Sequence, residues 1–203
     1  MTGRHASAAH SLALATGLAV LPLPAIAADW KATEVTKTYA VRGSTGPELY
    51  ASIGESGPKI GPTRTIAVTN YDLKWRRNYV PDGTSCRLVS AIPFLTITYT
   101  LPKPSSKLPA STETLWKTFS DGIRAHEKVH GDYVRQMTQD ILDTTVGMVA
   151  ENDPGCRKIK EEVKTPILDA GLAYKAKNRA FEEAEMAKGG NVHQLILTLV
   201  NGR

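Results

Sequence analysis

The chain has 203 residues, a formal net charge of +5 and two cysteines. Its positive charge is modest and scattered, and no platform for stacking bases accompanies it, so we expect no nucleic acid partner. The length remaining after an N-terminal export signal suits one domain with its own hydrophobic core.

Residues 1–27 have the pattern of a secretory signal peptide. Arg4 and His5 precede an apolar run over residues 12–23, and Ala25-Ile26-Ala27 provides an A-x-A cleavage site. The run is shorter than the roughly 20 apolar residues that span a bilayer. We therefore predict cleavage after Ala27, or at the next bond, and export to the periplasm or the extracellular medium. The mature chain, residues 28–203, should contain no membrane span.

Residues 28–102 favour β structure. A short helical or turn segment begins at Gly46 and is terminated by residues 54–62. Alternating or β-branched strand patterns occupy residues 38–41, 65–70, 71–75 and 86–101. Pro93 interrupts the last of these patterns, which indicates either a bulge or an edge strand. We expect these strands to form a small antiparallel sheet.

Residues 110–203 are predicted to be helical. Ser111 or Thr112 can cap a long first helix, which a turn at residues 152–155 closes. A second helical stretch covers residues 156–186, with a break near Pro166. Residues 192–200 are apolar and suit either a final strand or a packed tail. The predicted fold is therefore α+β, a single domain over residues 28–203 whose β-rich half precedes a half of long helices.

His126-Glu127-Lys128-Val129-His130, on the first long helix, has the H-E-x-x-H pattern of zinc hydrolases. Residues four apart share one face of a helix, so both imidazoles can reach one metal ion. Glu127 is then placed to act as the general base that activates a water molecule with the metal. Both histidines fall on the apolar stripe of the helix, where two unpaired imidazoles would be costly to bury. The pattern predicts one bound Zn²⁺ and makes the single domain over residues 28–203 zincin-like.

The motif provides two of the three protein ligands that catalytic zinc requires. No histidine follows in residues 131–136, so the third ligand must come from elsewhere in the chain. An antiparallel second helix could return with its acidic residues, which makes that cluster the best source. The cluster consists of Glu182, Glu183 and Glu185, and the weaker candidates are Asp132, Glu151 and His193.

The two cysteines of the mature chain, Cys86 and Cys156, are expected to form one disulfide in an oxidising compartment. The bridge would close a loop of about 70 residues and stabilise the fold by up to roughly 4 kcal/mol. A metal site that uses these sulfurs is the alternative, although neither cysteine has the C-x-x-C spacing.

Several segments, in this order, resemble the family known as domain of unknown function 922, described as predicted secreted zinc-dependent proteases. They are residues 39–45 with Glu48-Leu49, Lys74-Trp75, Cys86-Arg87-Leu88 followed by residues 96–102, Trp116 before the H-E-x-x-H helix, and Cys156. The C-terminal pattern departs from the family. Glu182 stands where many members have an aspartate, and Glu185 and Ala187 replace a threonine and a histidine. The resemblance implies Glu182 as the third metal ligand, beside His126 and His130.

Motif and resemblance together predict an exported zinc-dependent hydrolase, specifically a metallopeptidase that acts on a peptide or protein. Glu127 would be its catalytic base. A zinc-stabilised binding protein of the cell envelope without catalysis is the alternative, because the C-terminal pattern is altered. A metal-free envelope module that retains the motif is the third hypothesis.

Overall fold

The computed structural model describes residues 30–202, and the predicted signal peptide lies outside these described residues. The elements follow in the order β1 (Thr33–Val41), α1 (Gly46–Ser56), β2 (Lys59–Ile60), β3 (Thr63–Arg64), β4 (Val68–Asp82), β5 (Ser85–Pro104), α2 (Ala110–Thr145), β6 (Val149–Ala150), α3 (Lys158–Glu162), α4 (Lys164–Met186) and α5 (Asn191–Asn201). The predicted α+β architecture, a β-rich half followed by long helices, is confirmed.

The main sheet has the strand order β1-β5-β4, with β6 paired to the start of β5. The β4–β5 and β5–β6 pairs are antiparallel, as predicted, but β1 lies parallel to β5. The sheet is therefore mixed, and the prediction of a purely antiparallel sheet is wrong in this respect. The reason is that α1 and the β2–β3 hairpin separate β1 from β4, so the chain returns to the sheet without forming a hairpin with β1.

Strand β5 is central to the sheet, although Pro93 suggested an edge or a bulge. β1 pairs with β5 only from Thr96 onward, so at Pro93 the strand has a neighbour on the β4 side alone. The missing N–H of proline is tolerated at such a locally free edge. The register shift lies elsewhere, between Asn78 and Tyr79 of β4.

Helix α2 covers one face of the sheet and forms the main hydrophobic core with it. Alternate residues of β5, among them Leu95 and Ile97, are buried on this face, as their strand period requires. They share a core cluster with Phe119, Ile123 and Val134 of α2. None of the helices within residues 30–202 combines the length and the apolar content needed to cross a bilayer.

The helix ends differ in detail from the sequence prediction. Helix α2 starts at Ala110 after Pro109, and Thr112 donates its hydroxyl to the Ser44 carbonyl (2.8 Å) rather than capping the helix. The break near Pro166 is confirmed, because α3 ends at Glu162 and Pro166 lies in the first turn of α4, where its missing N–H leaves no helical bond unmade. Residues 192–200 form the amphipathic helix α5.

The predicted disulfide is confirmed: Cys86 and Cys156 are joined, at a sequence separation of 70. The bridge ties the start of β5 to the turn that precedes α3. It is part of a second, smaller core with Leu88, Ala150 and Ile159. The β-rich and helical halves are thus linked covalently on the side where β6 also pairs with β5.

Gly131, directly after the H-E-x-x-H motif, allows α2 to lie close to the sheet. A Cβ at this position would overlap the Tyr99 hydroxyl and lie 3.0 Å from the ring carbon Cζ. Tyr99 cannot easily move away, because it is buried in β5 and its hydroxyl donates to Glu34 Oε1 (3.0 Å). The spacing between α2 and β5 next to the motif is therefore set by a residue without a side chain.

We predict that Gly131→Ala lowers the free energy of unfolding by about 1–3 kcal/mol, because the added methyl group overpacks the contact with Tyr99. Gly171→Ala in α4 is the matched control, since nothing lies within 4 Å of its Cβ position. That substitution should instead stabilise the protein by roughly 0.5–1 kcal/mol. Urea denaturation of both variants measures the difference, and equal effects would contradict the assigned role of Gly131.

Candidate metal centre

The three motif residues with expected chemical roles lie on the inward face of α2. His126, Glu127 and His130 are 6%, 4% and 7% exposed. Helix α4 packs along α2 and presents Glu182 to them, as expected for a returning helix. The centre is therefore assembled from two helices, each of which contributes side chains at helical spacing.

Three ligand atoms converge at this place. His130 Nε2 lies 2.9 Å and His126 Nε2 3.3 Å from Glu182 Oε1, and the two Nε2 atoms are 3.1 Å apart. Two ligands at about 2.0–2.1 Å from a tetrahedral zinc ion are roughly 3.3 Å apart. The triangle of two imidazole nitrogens and one carboxylate oxygen thus has nearly the dimensions of one face of a zinc coordination tetrahedron.

Asn178 orients the His130 ring by a contact with Nδ1, on the side away from the three ligand atoms. Its Nδ2 donates to the Tyr174 carbonyl (2.7 Å), so its Oδ1 faces His130 Nδ1 at 2.5 Å. An amide oxygen accepts only, so Nδ1 carries the proton and the Nε2 lone pair of neutral His130 points into the triangle. Asn178 therefore selects the tautomer that can bind a metal.

Glu185 has the equivalent position behind His126. Its Oε2 lies 3.4 Å from His126 Nδ1 and accepts a hydrogen bond from Asn191 Nδ2 at 3.0 Å. A carboxylate behind a ligating histidine is a common arrangement in metal sites, because it fixes the ring and raises its basicity. Phe181 stacks on the His126 ring at 4.8 Å between centroids and adds an apolar wall.

The three acceptor atoms of the centre would be stabilised by a positive charge between them. With both Nδ1 atoms used as donors, three lone pairs face one another in a partly buried space, which is unfavourable without a proton or a cation between them. In the absence of metal, a proton on Nε2 can replace the cation, and the resulting hydrogen bonds from His126 and His130 lower the pKa of Glu182 to about 2. Burial by itself lowers the pKa of His130, but the hydrogen bonds with Glu182 and Asn178 outweigh burial and raise it. A divalent cation satisfies all three acceptors at once.

Glu127 lies beside the triangle and is held by the sheet. Thr69, in β4, donates its hydroxyl toward Glu127 Oε2 (2.5 Å) and also lies 3.0 Å from the Glu127 carbonyl oxygen. Burial raises the pKa of Glu127, and the Thr69 hydrogen bond and the nearby histidines offset only part of the effect. A carboxylate with a raised pKa is a better proton acceptor for catalysis near neutral pH than an exposed one.

Two adjoining cavities open onto the centre. One, of about 280 Å³, lies on the His130 side, and the other, of about 190 Å³, lies on the His126 side. Their walls share Thr65, Ala67, Glu127 and Glu182. The space around Glu127 and Glu182 is therefore accessible from two directions.

Among the candidates for third ligand, Glu182 alone joins the two histidines. The ligand atoms of His126, His130 and Glu182 all lie within 4.8 Å of one another, and no fourth His, Cys, Asp or Glu of residues 30–202 belongs to the group. Glu185 contacts His126 Nδ1, while Asp132 pairs with Arg135 instead. Glu183, Glu151 and His193 also lie outside the group.

Sequence reasoning missed Thr69 and Asn178. Asn178 precedes Glu182 by one helical turn. With Glu182 as the candidate ligand, the spacing in the sequence therefore predicts that Asn178 lies on the same face of α4. Thr69 offered no such signal, because its proximity to Glu127 depends on how α2 lies across the sheet.

The chain matches the family of bacterial proteins of unknown function DUF922 over residues 36–190. This match covers most of the chain, from within β1 to the turn that precedes α5, and includes every residue of the candidate metal centre except Asn191. The chain therefore belongs to this family, as its sequence resemblance indicated. No curated protein and no solved structure is significantly similar to it.

We predict that Asn178→Ala weakens Zn²⁺ binding by roughly 10- to 100-fold, as is typical when a residue that orients a ligating histidine is lost. The fold should be unaffected, because Asn178 is only half-buried at the surface of α4. Competition with a fluorescent zinc chelator measures the affinity. Asn201→Ala, at the exposed end of α5, is the control and should bind zinc like the wild type. Unchanged affinity in Asn178→Ala would contradict the orienting role.

Proposed function

We propose that this member of the DUF922 family is an exported zinc-dependent hydrolase that cleaves peptide bonds. The metal would be held by His126, His130 and Glu182. The single observation that supports this most strongly is the convergence of three acceptor atoms at zinc-like spacing, with Nδ1 hydrogen bonds behind both histidines. The signal-peptide pattern of residues 1–27 supports export.

A set of three protein ligands, rather than four, supports catalysis over a purely structural metal. Structural zinc sites are typically closed by four protein ligands, whereas catalytic sites have three and leave one position for water or substrate. Within the described residues, three protein ligands are available and the two cavities adjoin them. Both features are expected of a site that admits a substrate.

In the proposed mechanism, a Zn²⁺ ion held by His126, His130 and Glu182 would supply Lewis-acid chemistry, which would polarise the scissile carbonyl and make a water molecule more acidic. Glu127 takes the proton of the attacking water on its carboxylate and passes it to the leaving amine. Thr69 keeps the Glu127 carboxylate at the edge of the cavities through its hydrogen bond. Asn178 and Glu185 keep the two imidazoles in the orientation described above.

A peptide is the substrate class that fits the surroundings of the centre. In the described chain β4 pairs only with β5, so its outer backbone groups form a free sheet edge. Val68 and Thr69, the first residues of β4, line the larger cavity. An extended peptide can add to such an edge through main-chain hydrogen bonds, which would place one of its peptide bonds beside Glu127.

We predict that the wild-type protein, purified without a histidine tag, contains close to one zinc ion per chain. His126→Ala and His130→Ala should lose it, and Glu182→Ala should bind zinc much more weakly because one of three ligands is removed. Elemental analysis by mass spectrometry, with Glu183→Ala as the matched control from the same helix, measures this. Full zinc content in Glu182→Ala would remove Glu182 from the ligand set.

Glu127→Gln separates metal binding from catalysis. The variant should keep its zinc and lose about 10²- to 10⁴-fold in the rate of peptide hydrolysis, since the amide cannot accept the proton. A quenched fluorescent peptide library reports the rate, and elemental analysis of the same sample reports the metal. Full turnover by zinc-loaded Glu127→Gln would contradict the assignment of the base. A wild type that binds zinc and cleaves nothing in the library would instead favour the zinc-stabilised binding protein.

A further inference from the structure

The two cavities that meet at the candidate metal centre differ in chemistry. The His126-side cavity has a mixed wall, in which Ile66, Ile123, Met186 and Val192 are apolar, and Arg64 and Thr65 are polar beside the residues of the centre itself. The larger, His130-side cavity has two cations in its wall, Lys175 and Arg179 of α4. Each cavity could receive one side chain of a peptide that crosses the centre, but not the same kind of side chain.

Lys175 and Arg179 are placed to act together. They are four residues apart and therefore lie on one face of α4, and Glu182 follows within one further turn of the same helix. Both side chains are exposed, and neither forms an ion pair with any residue between 30 and 202. Their charges thus remain available to a ligand.

Other cations near the centre are already engaged. Arg64, the one cation in the wall of the His126-side cavity, donates to the Gly57 carbonyl at 2.6 Å. Lys177, on α4 between the two cavity cations, donates to Gln136 Oε1 at 2.9 Å and lines neither cavity. The His130-side cavity therefore has two cations in its wall that form no side-chain hydrogen bond or ion pair within residues 30–202, whereas the single cation of the His126-side cavity is held by a backbone carbonyl.

The negative groups in that cavity belong to the proposed chemistry. Glu182 would give its charge to the metal, and Glu127 accepts the Thr69 hydrogen bond and would take the proton of the reacting water. Once the metal is bound, Lys175 and Arg179 dominate the charge of the remaining wall. Tyr174, Ile60 and Val68 complete this wall, so the cavity also has apolar surface for the methylene groups of a side chain.

We propose that the His130-side cavity is a subsite for an acidic side chain and that the His126-side cavity is a subsite for an apolar one. The preferred ligand is then an extended peptide with Glu or Asp on one side of the reacting bond and a residue such as Leu on the other. Lys175 and Arg179 determine the specificity for the acidic residue. This inference rests on the proposed function, because it takes the metal centre as the point where the peptide crosses.

The test measures peptide binding rather than turnover. It uses the complete mature chain, residues 28–203, with the substitution Glu127→Gln and with Zn²⁺ present. The probes are fluorescein-labelled alanine-based octapeptides that contain one Leu and, at each other position in turn, Glu, Gln or Lys. Fluorescence anisotropy should show that the best Glu peptide binds about tenfold more tightly than its Gln isostere, a ratio within reach of two partly exposed ion pairs. The preference should shrink at high salt, because exposed charges are screened.

Charge variants identify the residues responsible. In the same Glu127→Gln background, Lys175→Gln with Arg179→Gln should abolish the preference, and Lys175→Glu with Arg179→Glu should transfer it to the Lys peptide. The control variant, Lys177→Gln with Lys188→Gln, removes two exposed charges outside the His130-side cavity and should retain the preference for the Glu peptide. Three outcomes would overturn the proposal. They are equal affinity for the Glu and Gln peptides, an equal loss of the Glu preference in the control variant and in the Lys175→Gln with Arg179→Gln variant, and no binding of any peptide.

The outcome is separable from that of the proposed function. A Glu preference in binding, without hydrolysis by the wild type, would support the subsite and contradict the hydrolase. Hydrolysis by the wild type with no Glu preference in binding would contradict the subsite and support the hydrolase.

Discussion

The candidate metal centre depends on one electrostatic constraint, the convergence of three acceptor atoms in a partly buried space between α2 and α4. His126, His130 and Glu182 would repel one another there without a positive charge, because each directs a lone pair toward the others. The protein maintains this arrangement by hydrogen bonds behind the rings, from His130 to Asn178 and from His126 to Glu185. The cost of bringing the acceptors together is the reason that a cation is expected to bind.

The sheet contributes the other half of the site. Gly131 lets α2 approach β5 closely, and at this spacing Thr69 of β4 reaches the carboxylate of Glu127. The same close packing buries Glu127 and raises its pKa, which suits a general base. The candidate metal ligands come from two helices, whereas the position and the pKa of the proposed base, Glu127, depend on the contact between helix and sheet.

The altered C-terminal pattern of this family member has a structural explanation. Glu182, where an aspartate was expected from the resemblance, directs Oε1 to both histidines, so the longer side chain still reaches the centre. Glu185, where a threonine was expected, lies behind His126 and interacts with its Nδ1. The candidate third ligand therefore remains a carboxylate, and a second carboxylate lies next to Nδ1 of His126. Both changes are compatible with a site that still binds metal.

What the sequence determined by itself is mostly local. The spacing of His126 and His130 places both on one helical face, strand patterns predicted parts of β1, β4 and β5, and two cysteines behind a predicted export signal predicted the disulfide. Hydrophobic periodicity also indicated the order of a β-rich half and a helical half. These features depend on residues within a few turns of one another, or on composition, so no knowledge of the packing was needed.

The tertiary structure decided the rest, because it depends on contacts between residues far apart in the chain. The sequence offered Glu182, Glu183 and Glu185 as alternatives, and only the register of α4 against α2 places Glu182 in the triangle. The parallel pairing of β1 with β5 depends on how α1 and the β2–β3 hairpin return the chain to the sheet, which no strand pattern records. The contact of Thr69 with Glu127, across 58 residues, likewise exists only once helix and sheet have packed, since packing rather than propensity sets such distances.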